Sequence, residues 1–257
     1  TGVTPTDLVV RGVDGTETVV VDSKGRPQEG RLASRLKGDF GERVAARAGN
    51  RVVLSIDLDL QRAAEQAFTS TAGAVVVLDV NTGRVLAVTS TPTFDPNKVS
   101  GYFDPREKAR LDAMDQLRPW RFRAIQDHFA PGSTFKVVTL LAAMDVKQTH
   151  AHDTVSCRGV YVLGSTRFRC WRDAGHGVVD PIDSIAKSCD VYFYTLGNRM
   201  GLDPIAHMGE LLGFGHKTGI ALDGESDGIM PSEDWYERKL PEGYTRGAAV
   251  NVSIGQG

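Results

Sequence analysis

Ser133-Thr-Phe-Lys136 places a hydroxyl and an amine three residues apart. If this segment is helical, positions i and i+3 share a face, and the Lys136 amine sits beside the Ser133 hydroxyl. A serine is a poor nucleophile until a neighbouring base takes its proton. A lysine does that work when burial or a nearby cation lowers its pKa. Pro131-Gly132 sets a turn directly before the serine, and a helix start there adds positive potential where an oxyanion would form. Alone, Ser-x-x-Lys is weak, because it equally describes an ordinary helix start capped by Ser133 or Thr134. The second signal is Ser188-Cys-Asp190, 55 residues after Ser133. Its polar side chains, two apart at the end of an apolar helical segment, can point into one cleft. Ser188 would relay a proton between Lys136 and a leaving group, and Asp190 would bond Lys136 or substrate backbone.

Three cysteines and one histidine suggest a metal. Cys157, Cys170, His176 and Cys189 form a Cys3His set whose three thiolates and imidazole suit tetrahedral structural zinc. The spacing lacks the compact C-x-x-C of a finger. A Cys157–Cys170 disulfide and free thiols stay open beside zinc. Because Cys189 lies between Ser188 and Asp190, a metal there would brace that motif structurally, not act as a Lewis acid. His128, His150, His152, His207 and His216 form no set. Trp171 and the run Tyr192-Phe-Tyr194 either line a peptide groove or pack in the core. Arg167, Arg169 and Arg172 either meet a substrate carboxylate or lie in a solvated loop. Trp171 and Arg169 are the candidate substrate-binding pair.

The elements that must position these groups follow from patterning. Thr18–Val21 reads as a short strand, Asp22–Gly25 as a turn and Gly30–Gly49 as a linker. Arg51–Ile56 reads as a strand. Asp57 or Asp59 caps a helix over Leu60–Phe68. Gly73–Asp79 and Arg84–Thr89, joined at Asn81-Thr-Gly83, read as a hairpin, and the apolar run of its first strand suggests burial on both faces. Pro92, Pro96 and Pro105 mark an irregular stretch. Helices follow over Val137–Met144, Pro181–Arg199 and Pro204–Leu212. This order predicts an α+β domain, helices packed on an antiparallel sheet.

Composition excludes several classes. Thirty Lys+Arg against 32 Asp+Glu give a net charge of −2, which argues against a nucleic-acid surface. The apolar runs fall far short of the roughly 20 residues that span a bilayer. With no initiating Met, the chain reads as an interior piece of a longer protein.

The combination of motifs is more specific than its parts. Pro131–Lys136 and Ser188–Asp190 resemble the first two motifs of penicillin-binding proteins and serine β-lactamases. Phe168–Trp171, Gly175–Val178, Gly213-Phe-Gly215, Thr218-Gly-Ile220 and Ser253–Gly257 resemble the penicillin-binding protein 2 family, the class B transpeptidases of rod elongation. That resemblance implies a penicillin-binding/serine β-lactamase-like transpeptidase fold over residues 50–257. Residues 1–49 would end a β-rich pedestal domain and linker. It implies cross-linking of peptidoglycan stem peptides ending in D-Ala-D-Ala, with Ser133 as nucleophile, Lys136 as base, and Ser188 and Asp190 in support. β-Lactams would trap Ser133. No cofactor is implied for catalysis. Partners would be a SEDS-type glycan polymerase and an elongation scaffold, at the periplasmic face of the inner membrane, with any anchor outside these residues. Lys217-Thr-Gly219 is not the family's third motif, because it falls in the separate G-F-G-x-x-T-G-I segment. The true Lys-Thr/Ser-Gly is expected beyond Gly257, so the 257 residues by themselves are expected to be inactive or nearly so. A β-lactam-sensing receptor domain and a serine β-lactamase or carboxypeptidase are the rival readings.

Overall fold

The computed structural model describes residues 9–12, 18–21, 53–68, 72–99 and 104–257, and the readings made for 22–25, 30–49 and 51–52 lie outside them. The chain divides into two compact units, Thr1–Ala124 and Ile125–Gly257.

In the first unit, β1 (Val9–Gly12) pairs antiparallel with β2 (Thr18–Val21). Next comes α1 (Leu58–Gln66), whose N-cap is Asp57: its carboxylate accepts from the backbone N–H groups of Asp59 and Leu60. β3 (Gly73–Leu78) and β4 (Val85–Thr91) form the expected hairpin. Two expectations fail here. Val53–Asp57 is irregular, not a strand. It touches β4 at two points only, Ser55 Oγ to the Val85 carbonyl and Asp57 N–H to the Leu86 carbonyl, too few for a ladder. β3 is not buried on both faces, because Val76 and Leu78 are exposed in alternation with half-buried Val75 and Val77. The unit closes through α2 (Pro96–Val99) and α3 (Pro105–Ala113), and α4 (Arg123–Gln126) leads into the second unit.

The second unit is built on α5 (Lys136–Asp145) and α7 (Asp190–Met200). Between them lie β5 (Val155–Cys157), β6 (Val160–Leu163), β7 (Thr166–Arg169), β8 (Gly177–Val179) and α6 (Pro181–Ala186). β6 pairs with β7 and β5 with β8, both antiparallel. The sequence pattern missed these strands, since three or four residues are too short to show a period of two. After α7 come α8 (Asp203–Leu211), α9 (Glu233–Lys239) and α10 (Arg246–Val252). The expected single helix over Pro181–Arg199 is two, broken at Lys187–Cys189, where Ser188 takes a left-handed φ of 49°.

The first two turns of α7 are buried, with Val191, Tyr192, Phe193, Tyr194 and Leu196 all in the core. A helix of that pattern belongs at the centre of a core. The core around it takes in Cys157, Cys170, Cys189, Val250 and Ile254, and a second cluster joins Phe135, Val138, Ala142, Ile205 and Val252. α7 meets α10 at Gly197, where a Cβ would stand 2.7 Å from Ser253 Cβ and 2.8 Å from the Ala249 carbonyl oxygen. Only glycine permits this approach. Among the described residues no helix is long and apolar enough to cross a membrane.

Gly197→Ala is therefore expected to force α7 from α10 and cost about 1–3 kcal/mol, read as a lower urea midpoint. An unchanged midpoint would show that the crossing can relax without loss.

Candidate active site

Ser133 lies in a 3-10 turn, Gly132–Phe135, that runs directly into α5. Neither Ser133 nor Thr134 caps that helix. The turn is held from outside: the Gly132 N–H donates to the Gly255 carbonyl at 3.0 Å. A Cβ on Gly255 would lie 2.3 Å from the Gly132 carbonyl oxygen, so the Ser253–Gly257 segment presents bare backbone to the nucleophile turn. One turn further along α5, Thr139 Oγ1 donates to the Ser253 carbonyl at 2.8 Å.

Lys136 is 1% exposed. Its Nζ donates to Ser188 Oγ at 3.0 Å, to the Ser188 carbonyl at 3.0 Å and to Asp190 Oδ1 at 2.5 Å. These three bonds use every proton an ammonium carries. Phe193 places its ring centroid 5.6 Å from Nζ. Ser188 Oγ donates onward to Ser133 Oγ at 3.0 Å. Among the described residues no hydrogen bond joins Ser133 to Lys136 directly, so the i, i+3 adjacency expected from sequence is realised through Ser188. Asp190 opens α7, where the helix N-terminus favours a carboxylate. Its other oxygen accepts the Trp171 backbone N–H at 2.9 Å.

Ser133, Ser188, Asp190, Arg169 and Trp171 open onto one cavity of about 530 Å³, together with Tyr194, Ile254 and Gln256. Tyr194 is packing with a polar tip: its hydroxyl donates to the Arg169 carbonyl at 3.1 Å, and burial pushes its pKa up to about 12. Ile254 and Gln256 were not foreseen as site residues. Their only sequence signal was the glycine-flanked segment that contains them. Trp171 is not a core residue, being 65% exposed, whereas Tyr192, Phe193 and Tyr194 are buried. Arg167 and Arg172 are exposed and do not line the cleft. Lys217-Thr-Gly219 is also away from it, in a loop where Thr218 N–H and Oγ1 both donate to Glu225. A larger cavity of about 660 Å³ lies behind the nucleophile turn among Phe129, Phe135, Phe214, Met230 and Trp235, and contains none of the four polar groups.

Cys157, Cys170, His176 and Cys189 converge beside this cleft, with their ligand atoms all within 4.8 Å of one another. His176 Nδ1 lies 3.7 Å from Cys157 Sγ and 3.5 Å from Cys170 Sγ. Tetrahedral zinc–thiolate geometry sets neighbouring ligand atoms about 3.7 Å apart, so the donor set fits that ion. No disulfide joins any two of the three cysteines. Burial pushes the Cys189 thiol up to about 12, and burial likewise lowers the pKa of His176. Cys157 ends β5, Cys170 directly follows β7, His176 lies in the loop before β8, and Cys189 immediately precedes α7.

A serine bonded through a second serine to a buried lysine is the kind of arrangement that acyl transfer by a serine nucleophile requires. The chain belongs to the penicillin binding protein transpeptidase domain family, which it matches over residues 73–256. It is 34% identical over 97% of its length to the peptidoglycan D,D-transpeptidase MrdA of Acinetobacter baumannii and spans 36% of that protein. Among solved structures it resembles Pseudomonas aeruginosa penicillin-binding protein 2 in complex with WCK 5153, with a TM-score of 0.73 and 35% identity, covering 80% of this chain and 47% of the other. It also resembles Helicobacter pylori penicillin-binding protein 2 in complex with MreC, with a TM-score of 0.74 and 28% identity, covering 79% and 38%. The fold is the α+β penicillin-binding transpeptidase fold.

The left-handed backbone at Ser188 has a measurable signature. Ser188→Gly and Ser188→Ala both lose the hydroxyl, but only alanine keeps the strain. Ser188→Gly is expected to be the more stable by about 1 kcal/mol in urea unfolding. The reverse order would show that the position is not left-handed in solution.

Proposed function

We propose that the protein is a peptidoglycan D,D-transpeptidase that works through a Ser133 acyl-enzyme. The observation that carries this reading is the hydrogen-bonded line from Ser133 Oγ through Ser188 Oγ to Lys136 Nζ, both links 3.0 Å. The naming of its relatives as peptidoglycan D,D-transpeptidases supports it. General-base work requires the neutral amine of Lys136. Its lone pair receives the Ser188 hydroxyl proton while Ser188 Oγ receives that of Ser133. Ser133 Oγ then attacks the carbonyl of the penultimate D-Ala of a stem peptide. Ser188 returns the proton to the departing D-Ala amine, and the amine of a neighbouring stem peptide attacks the acyl-enzyme. Asp190 holds Lys136 in line throughout. Arg169, with an exposed side chain at the cleft, is suited to a substrate carboxylate.

No cofactor enters this chemistry. Cys157, Cys170, His176 and Cys189 would hold a structural zinc, which would tie the short strands of 155–179 to the start of α7 and so brace Ser188 and Asp190. The natural setting of the reading is the periplasmic face of the inner membrane. The partners proposed are a glycan polymerase of the SEDS type and an elongation scaffold of the kind with which the H. pylori relative was solved. Domain boundaries near residue 50 and a third motif beyond Gly257 belong to the same proposal.

The test is to treat the full natural chain with a fluorescent penicillin and locate the adduct by peptide mass spectrometry. An adduct on Ser133, absent from Ser133→Ala, is expected. Its absence from folded protein would sink the acyl-enzyme reading. For the metal, one equivalent of zinc is expected by elemental analysis. Its chelation is expected to lower Tm by roughly 5 °C or more, on the order of 2 kcal/mol for a chain of this size. A metal-free protein, or a Tm indifferent to chelation, would count against the structural ion.

A further inference from the structure

We infer that Trp171 is a positioning residue for this reaction: its indole N–H fixes the strained Ser188 backbone and through it the Ser133–Ser188–Lys136 line. The inference rests on the acyl-transfer reading and goes beyond a role in substrate contact.

Four observations converge on it. Trp171 Nε1 donates to the Lys187 carbonyl at 3.1 Å and to the Ser188 carbonyl at 3.0 Å, bridging the two peptide groups where the helix breaks. The Ser188 carbonyl also accepts from Lys136 Nζ at 3.0 Å. One oxygen thus ties the indole to the catalytic amine. Ser188 sits at φ 49°, a region costly for a residue with a Cβ, so the surroundings must hold it there. Finally, the Trp171 backbone N–H donates to Asp190 Oδ2 at 2.9 Å, while Lys136 takes Oδ1. One residue therefore contacts both ends of the Ser188–Asp190 motif, with its side chain on one and its main chain on the other.

The ring itself is held at the cleft edge. It lies 5.2 Å from the His176 ring, between centroids, and Cys170 precedes it in the chain. Its exposure is a poor fit to a packing role. An exposed indole with its N–H turned inward to two carbonyls is a fit to a bracket. Removing that donor frees the carbonyls to turn, and the hydroxyl of Ser188 then leaves the line between nucleophile and base.

Trp171→Phe removes the N–H and keeps the ring and the main-chain bond to Asp190. In the full natural chain, stopped-flow acylation by a fluorescent penicillin is expected to show the acylation rate constant reduced about tenfold, the size of one lost hydrogen bond. The pre-acylation binding constant should change by less than twofold. An unchanged rate constant, or weakened binding with an unchanged rate, would overturn the inference in favour of a bystander or a substrate contact. Failure of the unaltered protein to acylate at Ser133 would instead remove the reading beneath it. A second readout needs no change at Trp171. In protein labelled with 15N-tryptophan, its indole N–H, assigned by replacing the other tryptophans of the protein, Trp120 and Trp235 among them, with Phe, is expected to exchange with water at least about tenfold more slowly than a free indole. Free exchange would overturn the inference even if Trp171→Phe does not fold.

Discussion

The burial of one amine governs the architecture of the second unit. A lysine taken out of water is tolerated only when its nitrogen is fully met by acceptors. Lys136 meets all of them within one motif, two on Ser188 and one on Asp190. That requirement explains why a helix cannot run unbroken from Pro181 to Met200. A regular helix would keep the Ser188 carbonyl within its own ladder. The left-handed turn at Ser188 releases that carbonyl and swings the hydroxyl toward Ser133. It also lets α7 begin afresh at Asp190, where the positive end of the helix favours the carboxylate.

The rest of the unit keeps this turn in place. α7 is anchored by the packing of its first two turns, and Gly197 lets α10 approach it closely. α10 in turn delivers Ser253–Gly257 to the nucleophile turn and to α5. The Lys136 side of the site and the Ser188 side are thus braced by the same two helices. On the open side, the β5–β8 pair and the β6–β7 hairpin within it bring Cys157, Cys170 and His176 to Cys189, one residue from Asp190. Cys189 and Asp190 are joined by one peptide bond, so whatever orders the cluster also orders the Asp190 carboxylate.

The two halves of the chemistry differ in how they are held. Ser133 and Lys136 share one continuous stretch, a 3-10 turn running into α5, braced from outside by Ser253–Gly257. Ser188 and Asp190 are set by contacts from segments far away in the chain, Trp171 above all. The relay that joins them passes through Ser188.

Residue types and spacing alone singled out Ser133 with Lys136, Ser188 with Asp190, the Cys3His group, the first-unit hairpin and its helix, and, through resemblance, the family. These are short-range signals or fixed residue identities, and a linear reading captures them. Tertiary structure alone decided that Ser188 stands between Ser133 and Lys136, because that depends on a backbone angle no propensity encodes. It decided that 155–179 forms a β6–β7 hairpin enclosed by a β5–β8 pair, since strands so short acquire order only from their partners. It decided that Val53–Asp57 stays irregular and that Val76 and Leu78 face outward, because an apolar run does not say how many neighbours it will find. It also decided that Trp171 is exposed and bonded by its nitrogen, while the aromatic run at 192–194 is buried. An aromatic side chain carries both an apolar body and a polar tip, and only the packing around it chooses which is used.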